Sequence, residues 1–188
     1  MVEPGEELKL VFEKAVNDAR KLKHEYVTIE HILFAMLCEE KFENIINGYG
    51  ADAQFLKKNL ENHLKTACND LIINDENVKP KKTTAVERVL NRAFTQVLFS
   101  GRQTIELGDV LISIFSEKKS IGTYWLEKAG VEKERFTEYV SSEIEEQHVD
   151  EELSGALQKA LKQFTTNLND QVKKNKIDPI IGRNEELD

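Results

Sequence analysis

Val27-Thr28-Ile29-Glu30-His31-Ile32-Leu33-Phe34-Ala35-Met36-Leu37-Cys38-Glu39 is answered by Ile105-Glu106-Leu107-Gly108-Asp109-Val110-Leu111-Ile112-Ser113-Ile114-Phe115-Ser116-Glu117, at a constant offset of 78 residues. The same offset pairs Val11-Phe12-Glu13-Lys14-Ala15-Val16 with Val89-Leu90-Asn91-Arg92-Ala93-Phe94, and no gap separates the two matches. An ungapped repeat of this length marks a duplicated packing unit. It directs attention to surfaces between two halves rather than to an enzyme cleft.

Working outward, Leu10, Val11, Ala15, Ala19 and Leu22 have the spacing of an amphipathic helix over Glu6 to Leu22. Thr28 is placed to cap the next helix, with Glu30 in its first turn near the positive helix end. That helix, Ile29 to Cys38, is apolar on nearly every side and is predicted to be central. Gly48 and Gly50 suit a helix stop, and Asp52 suits the cap of a fourth helix carrying Phe55, Leu56, Leu60 and Leu64. The second unit repeats the order: Val86 to Val97, then Leu107 to Phe115, then a helix holding Tyr124-Trp125-Leu126. Gly130 matches Gly50 at an offset of 80, so two residues are inserted, and Phe136, Val140 and Ile144 match Leu56, Leu60 and Leu64. The prediction is all-α, eight helices in two pseudo-symmetric four-helix repeats, with no alternation long enough for a credible strand.

The predicted boundaries are repeat one at about 6–66, a polar connector at 67–83, and repeat two at 84–145. A charged linker and helix follow at 146–174, and a short extended segment at 175–188. With 188 residues and a net charge of −8, the chain suits one domain plus an appendage and lacks the general basic face that nucleic-acid binding needs. Cys38 and Cys68 have neither metal nor disulfide spacing, and Cys38 is read as a buried reduced thiol. No secretory signal or membrane-length apolar run is visible, which fits a cytoplasmic protein.

The sequence contains no GxxxxGK[ST], HExxH, CxxC, GxSxG or GxGxxG motif. His24, His31, His63 and His148 are scattered; His31 is expected to cap or pack, and His24 with Glu25 and Glu30 falls short of a zinc set. Two polar corners remain: His24-Glu25 with Glu30, and Thr83-Thr84-Ala85-Val86-Glu87-Arg88. Pseudo-symmetry allows them to meet on one exposed face, where such charges steer and select partners.

His24-Glu25-Tyr26-Val27-Thr28-Ile29-Glu30-His31-Ile32-Leu33, with Arg88-Val89-Leu90-Asn91-Arg92-Ala93, resembles the amino-terminal double repeat of Clp (Hsp100) unfoldases. Phe164-Thr165-Thr166-Asn167-Leu168-Asn169 and Ile177-Asp178-Pro179-Ile180-Ile181-Gly182-Arg183 look like the lead-in to the first AAA+ module of the ClpA branch. The resemblance implies an accessory domain that docks the adaptor ClpS and influences which substrates reach a hexameric ring feeding the ClpP protease. It implies adaptor contacts at His24, Glu25, Glu30, Thr83 and Arg88, and no catalytic, cofactor or metal site in this stretch. ATP and magnesium would belong to AAA+ modules beyond it, leaving the fragment monomeric with a mobile tail. Lys82 and Val86 depart from the family pattern, Val86 being smaller than the usual aromatic. Alternatives are direct capture of unfolded substrate in an apolar groove between repeat halves, and capture of phosphorylated side chains near Lys23 and Arg102, as in ClpC-like relatives.

Overall fold

The computed structural model describes residues 2–74 and 79–142. Expectations for the tail beyond 142 lie outside these residues. The first repeat runs β1 (Glu3–Pro4), α1 (Glu6–Lys21), β2 (Tyr26–Val27), α2 (Ile29–Met36), α3 (Glu40–Tyr49) and α4 (Ala53–Thr66). The second runs β3 (Lys81–Lys82), α5 (Thr84–Phe99), β4 (Thr104–Ile105), α6 (Leu107–Ile114), α7 (Ile121–Lys128) and a last helix, α8, over 133–142. Adding 78 to the bounds of β1, α1, β2 and α2 gives the bounds of β3, α5, β4 and α6.

Among the described residues four short strands stand beside the helices of the expected all-α fold. Each is two residues long, too short to write a period-2 pattern into the sequence. They pair in parallel across the repeats: β1 with β4, and β2 with β3. Gly5 N donates to Ile105 O at 3.0 Å, and its repeat equivalent, Thr83 N, donates to Val27 O at 3.2 Å. Each repeat therefore completes its backbone hydrogen bonds only with the other.

The third helices are exchanged as well. In repeat two, α7 packs on α2 and α4 of repeat one, with Phe55 and Trp125 edge-to-face at 5.9 Å. In repeat one, α3 reaches α8, where Tyr49 meets Phe136 at 5.2 Å and its hydroxyl accepts from Glu132 N at 3.3 Å. Residues 1–141 form one compact unit in consequence.

Helices α2 and α6 are central, as their all-round apolarity predicts. Ile32, Leu33, Met36, Val110, Leu111 and Ile114 are all buried, each contributing about 1.5–3 kcal/mol from apolar burial. Asp52 caps α4 by accepting from Phe55 N at 2.9 Å, and Gly50 and Gly130 stand at φ 96° and 86° after α3 and α7. Cys38 is half-buried rather than buried, and burial pushes its thiol up.

Candidate docking corner

Both repeats build their corner from the same positions with different chemistry. The turn after α1 is left-handed at Lys23, φ 59°, and the turn after α5 is left-handed at Gly101, φ 75°. A side chain then reaches from the turn to the third residue of the following helix. In repeat one His24 Nδ1 lies 2.9 Å from His31 Nε2. In repeat two Arg102 makes two hydrogen bonds to the carboxylate of Asp109, one of them at 3.2 Å. His31 and Asp109 each also close a capping box, with Thr28 and Glu106. The sequence expectation that His31 caps or packs therefore holds.

His24 is 1% exposed, so its side chain is not on the surface where sequence reasoning put it. The connector shuts it in: Glu25 N donates to Leu71 O at 2.8 Å, and Ile73 N to Lys23 O at 2.9 Å. Glu30 is half-buried and already engaged. Its carboxylate accepts from Ser120 Oγ at 2.8 Å and from Gly122 N at 3.1 Å, at the start of α7. Burial pushes the Glu30 carboxyl up, but hydrogen bonds from Ser120, Thr28 and backbone amides outweigh it and hold the group below its ordinary value.

Glu25 and Thr83 flank the β2–β3 pair at opposite ends, Glu25 preceding β2 and Thr83 following β3. Lys81 N donates to Glu25 O at 2.9 Å across the β2–β3 pair, and Lys81 Nζ stands 3.9 Å from the Glu25 carboxylate. The Glu25 side chain remains 38% exposed. Thr83 caps α5, its hydroxyl accepting from Val86 N at 3.3 Å.

Arg88 turns elsewhere. Its guanidinium grips Glu117 with two hydrogen bonds, of 2.8 and 3.3 Å, and Arg92 adds a third at 3.2 Å. These contacts, led by Arg88, hold the Glu117 carboxyl below its usual range. Arg88 is still 56% exposed.

Val86 is fully buried, so its small size bears on the core rather than on a partner's contact area, while Lys82 is exposed on β3. Arg102 is committed to Asp109, which removes it from the basic corner considered for phosphorylated side chains; Lys23 is exposed. Among the described residues no group of three or more His, Cys, Asp or Glu side chains could hold a metal ion. Nor, among them, is any helix long and apolar enough to cross a membrane.

Sequence spacing gave no sign of Ser120, Gly122 or Glu117 as partners of these residues. The only available hint was divergence between the copies, since Glu30 stands opposite Gly108 and His31 opposite Asp109.

Comparison with known proteins places this geometry. Residues 4–129 match the family model of the Clp repeat (R) N-terminal domain. The chain is 27% identical to a ClpA homolog protein of Fuscovulum blasticum, over 94% of the chain and 25% of that relative. It is 23% identical to the chaperone protein ClpB of Clostridium tetani, over 97% of the chain and 22% of that relative. The chain thus spans about a quarter of the length of these relatives. Among solved structures, the Hsp104 N-terminal domain from Candida albicans superposes with a TM-score of 0.64 at 10% identity, covering 73% of this chain and 88% of that one. A ClpV N-domain in complex with a VipB peptide superposes with a TM-score of 0.54 at 15% identity, covering 73% and 84%.

Proposed function

This chain belongs to the Clp repeat N-terminal domain family, and on that footing we propose that it is the adaptor-docking and substrate-gating domain of a ClpA-type ATP-dependent unfoldase that feeds ClpP. The observation that carries the reading is the β2–β3 corner. There Glu25, an exposed acidic side chain, and the Thr83 cap flank the strand pair at its opposite ends, each fixed by a backbone hydrogen bond between the two repeats. A carboxylate held on a rigid edge selects a basic partner residue and orients it, as charges at an interface rim do.

The docking set is Glu25, Thr83 and Arg88, with ClpS as the adaptor. His24 and Glu30 act from behind it, holding the turn and the α7 start in place. Titrating ClpS into the chain tests this assignment. Glu25→Lys and Arg88→Glu weaken binding while leaving the far-UV spectrum unchanged. Unaltered affinity in both variants removes the proposed surface.

A second reading has its own observation. Phe12, Val16 and Val27 of repeat one, with the Lys82 stem of repeat two, line an open groove beside β2. On α5, Phe94 and Leu98 are exposed, and Phe99 is 86% exposed. Apolar surface of this kind suits direct capture of an extended, unfolded segment. The ClpV N-domain, which shares the fold, was solved with a peptide bound. Fluorescence anisotropy with a labelled unfolded chain, in the absence of adaptor, separates the readings: binding by the domain alone supports direct capture.

A further inference from the structure

The His24–His31 contact is a buried hydrogen bond between two imidazoles, and the surrounding contacts dictate where its protons sit. His31 Nδ1 accepts from Thr28 N at 3.1 Å, so the His31 proton is on Nε2. That Nε2–H donates to His24 Nδ1 at 2.9 Å, which places the His24 proton on its own Nε2. The His24 ring must be neutral for this chain to form, since its Nδ1 is the acceptor. A proton added at His31 Nδ1 meets the Thr28 N–H at 3.1 Å and the Thr28 Oγ1 at 3.0 Å, and one added at His24 Nδ1 faces the His31 N–H and breaks the bond between the rings. The equivalent contact in repeat two, Arg102 with Asp109, is a guanidinium–carboxylate ion pair that contains no imidazole.

We propose that the His24–His31 pair is an acid-sensitive clasp, whose protonation releases the turn carrying Glu25 and the β2–β3 pairing while the Arg102–Asp109 clasp of repeat two stays shut. The charged and titratable neighbours that act on His31 are Asp18 from α1, Glu30 on α2, His63 from α4 and His24 itself. Burial is the largest influence and His24 the next, and together they outweigh the attraction of Glu30 and Asp18, leaving His31 at about 4. Burial alone also lowers His24.

The sign follows. A histidine whose folded value is depressed contributes stability that is complete above about 6.5. That stability declines as pH falls toward the folded value near 4. Opening of repeat one's corner therefore grows between pH 6.5 and 4.

Amide hydrogen exchange on the intact chain reads both corners at once, using Thr28, Lys81 and Thr83 for the first and Glu3, Gly5 and Glu106 for the second. Between pH 7.5 and 5, protection factors at the first corner should fall roughly tenfold to thirtyfold, and those at the second should hold within twofold. Equal changes at the two corners, or none at either, overturn the proposal. The double substitution His24→Arg with His31→Asp transplants the second clasp. If it folds, it should abolish the difference between corners, and persistence of the difference also overturns the proposal. The internal comparison of corners in the unaltered protein decides the matter even if the variant does not fold. An effect on ClpS binding rests on the docking reading above. Acid opening with ClpS affinity unchanged would count against that reading and leave the clasp standing.

Discussion

Glu30 and Ser120 are 90 residues apart in sequence and joined by a 2.8 Å hydrogen bond, Ser120 Oγ donating to the Glu30 carboxylate. The bond fixes the start of α7, which belongs to repeat two, against α2 of repeat one. At the equivalent position in repeat two stands Gly108, where a Cβ would lie 2.4 Å from Val140 Cγ1. One copy of the duplicated position is a polar latch, and the other is a glycine whose missing side chain makes room for Val140. The pseudo-symmetry is thus broken where the helices cross between repeats.

Removing the latch destabilises the domain. Glu30→Ala leaves the Gly122 amide and Ser120 hydroxyl without their charged acceptor and is expected to cost about 1–3 kcal/mol in urea unfolding. Glu30→Gln costs less, because it keeps an acceptor oxygen. The pH dependence has a definite sign: Glu30 is held below its ordinary value of 4.5, so its contribution is complete above that value and lost as pH falls through the lower folded one. The gap between wild type and Glu30→Gln should narrow below pH 4.5. A gap that widens in acid contradicts the latch.

Lys23 occupies a left-handed turn that its repeat equivalent fills with Gly101. A side chain in this conformation costs about 1–2 kcal/mol, partly offset by the greater unfolded-state freedom of glycine. Lys23→Gly is expected to raise stability by about 0.5–1 kcal/mol in chemical denaturation. Gly101→Lys should lower it by a similar amount, and the two substitutions changing stability in the same direction would disprove the turn assignment.

Gly108 tolerates no larger side chain without movement of α8. Gly108→Val should cost about 1–3 kcal/mol through overpacking against Val140. The companion substitution Val140→Ala should recover part of that loss. Full additivity of the two changes would show that the residues do not touch.

Neither repeat is expected to fold alone. Residues 1–74 lack the strand partners of β1 and β2 and the helices that cover α2 and α3. Circular dichroism should show the isolated segment largely unfolded, and mixing it with 79–142 should restore helix signal. A cooperative thermal transition in 1–74 alone would contradict the interlocked arrangement.

Much of this fold was legible in the chain. The 78-residue offset reproduces four element boundaries in each repeat, because duplicated side-chain patterns bury the same faces. Helices α2 and α6 announced themselves by apolarity on every side, and His31 by its place in the first turn after Thr28. The strands were not legible, since two residues carry no alternation and their partners lie across the repeat boundary. Glu25 and Thr83 flank the same strand pair, but at its opposite ends. His24 and Glu30 were misjudged as exposed, because burial by the connector and capture by Ser120 depend on segments about 50 and 90 residues away. Arg88 was placed correctly on the surface, but Glu117, 29 residues on, could not be foreseen as its partner.

Glu25 lies close enough to Lys81 that loss of a partner contact and loss of the strand pairing must be told apart. Calorimetric titration of ClpS against Glu25→Lys and against the charge swap Glu25→Lys with Lys81→Glu does so, since the swap restores the intramolecular ion pair and still denies the partner its carboxylate. Binding at least about tenfold weaker in both variants, with thermal stability recovered in the swap, is the outcome expected of a docking carboxylate. Recovery of ClpS affinity in the swap would show that Glu25 serves only the strand pair and that the adaptor docks elsewhere.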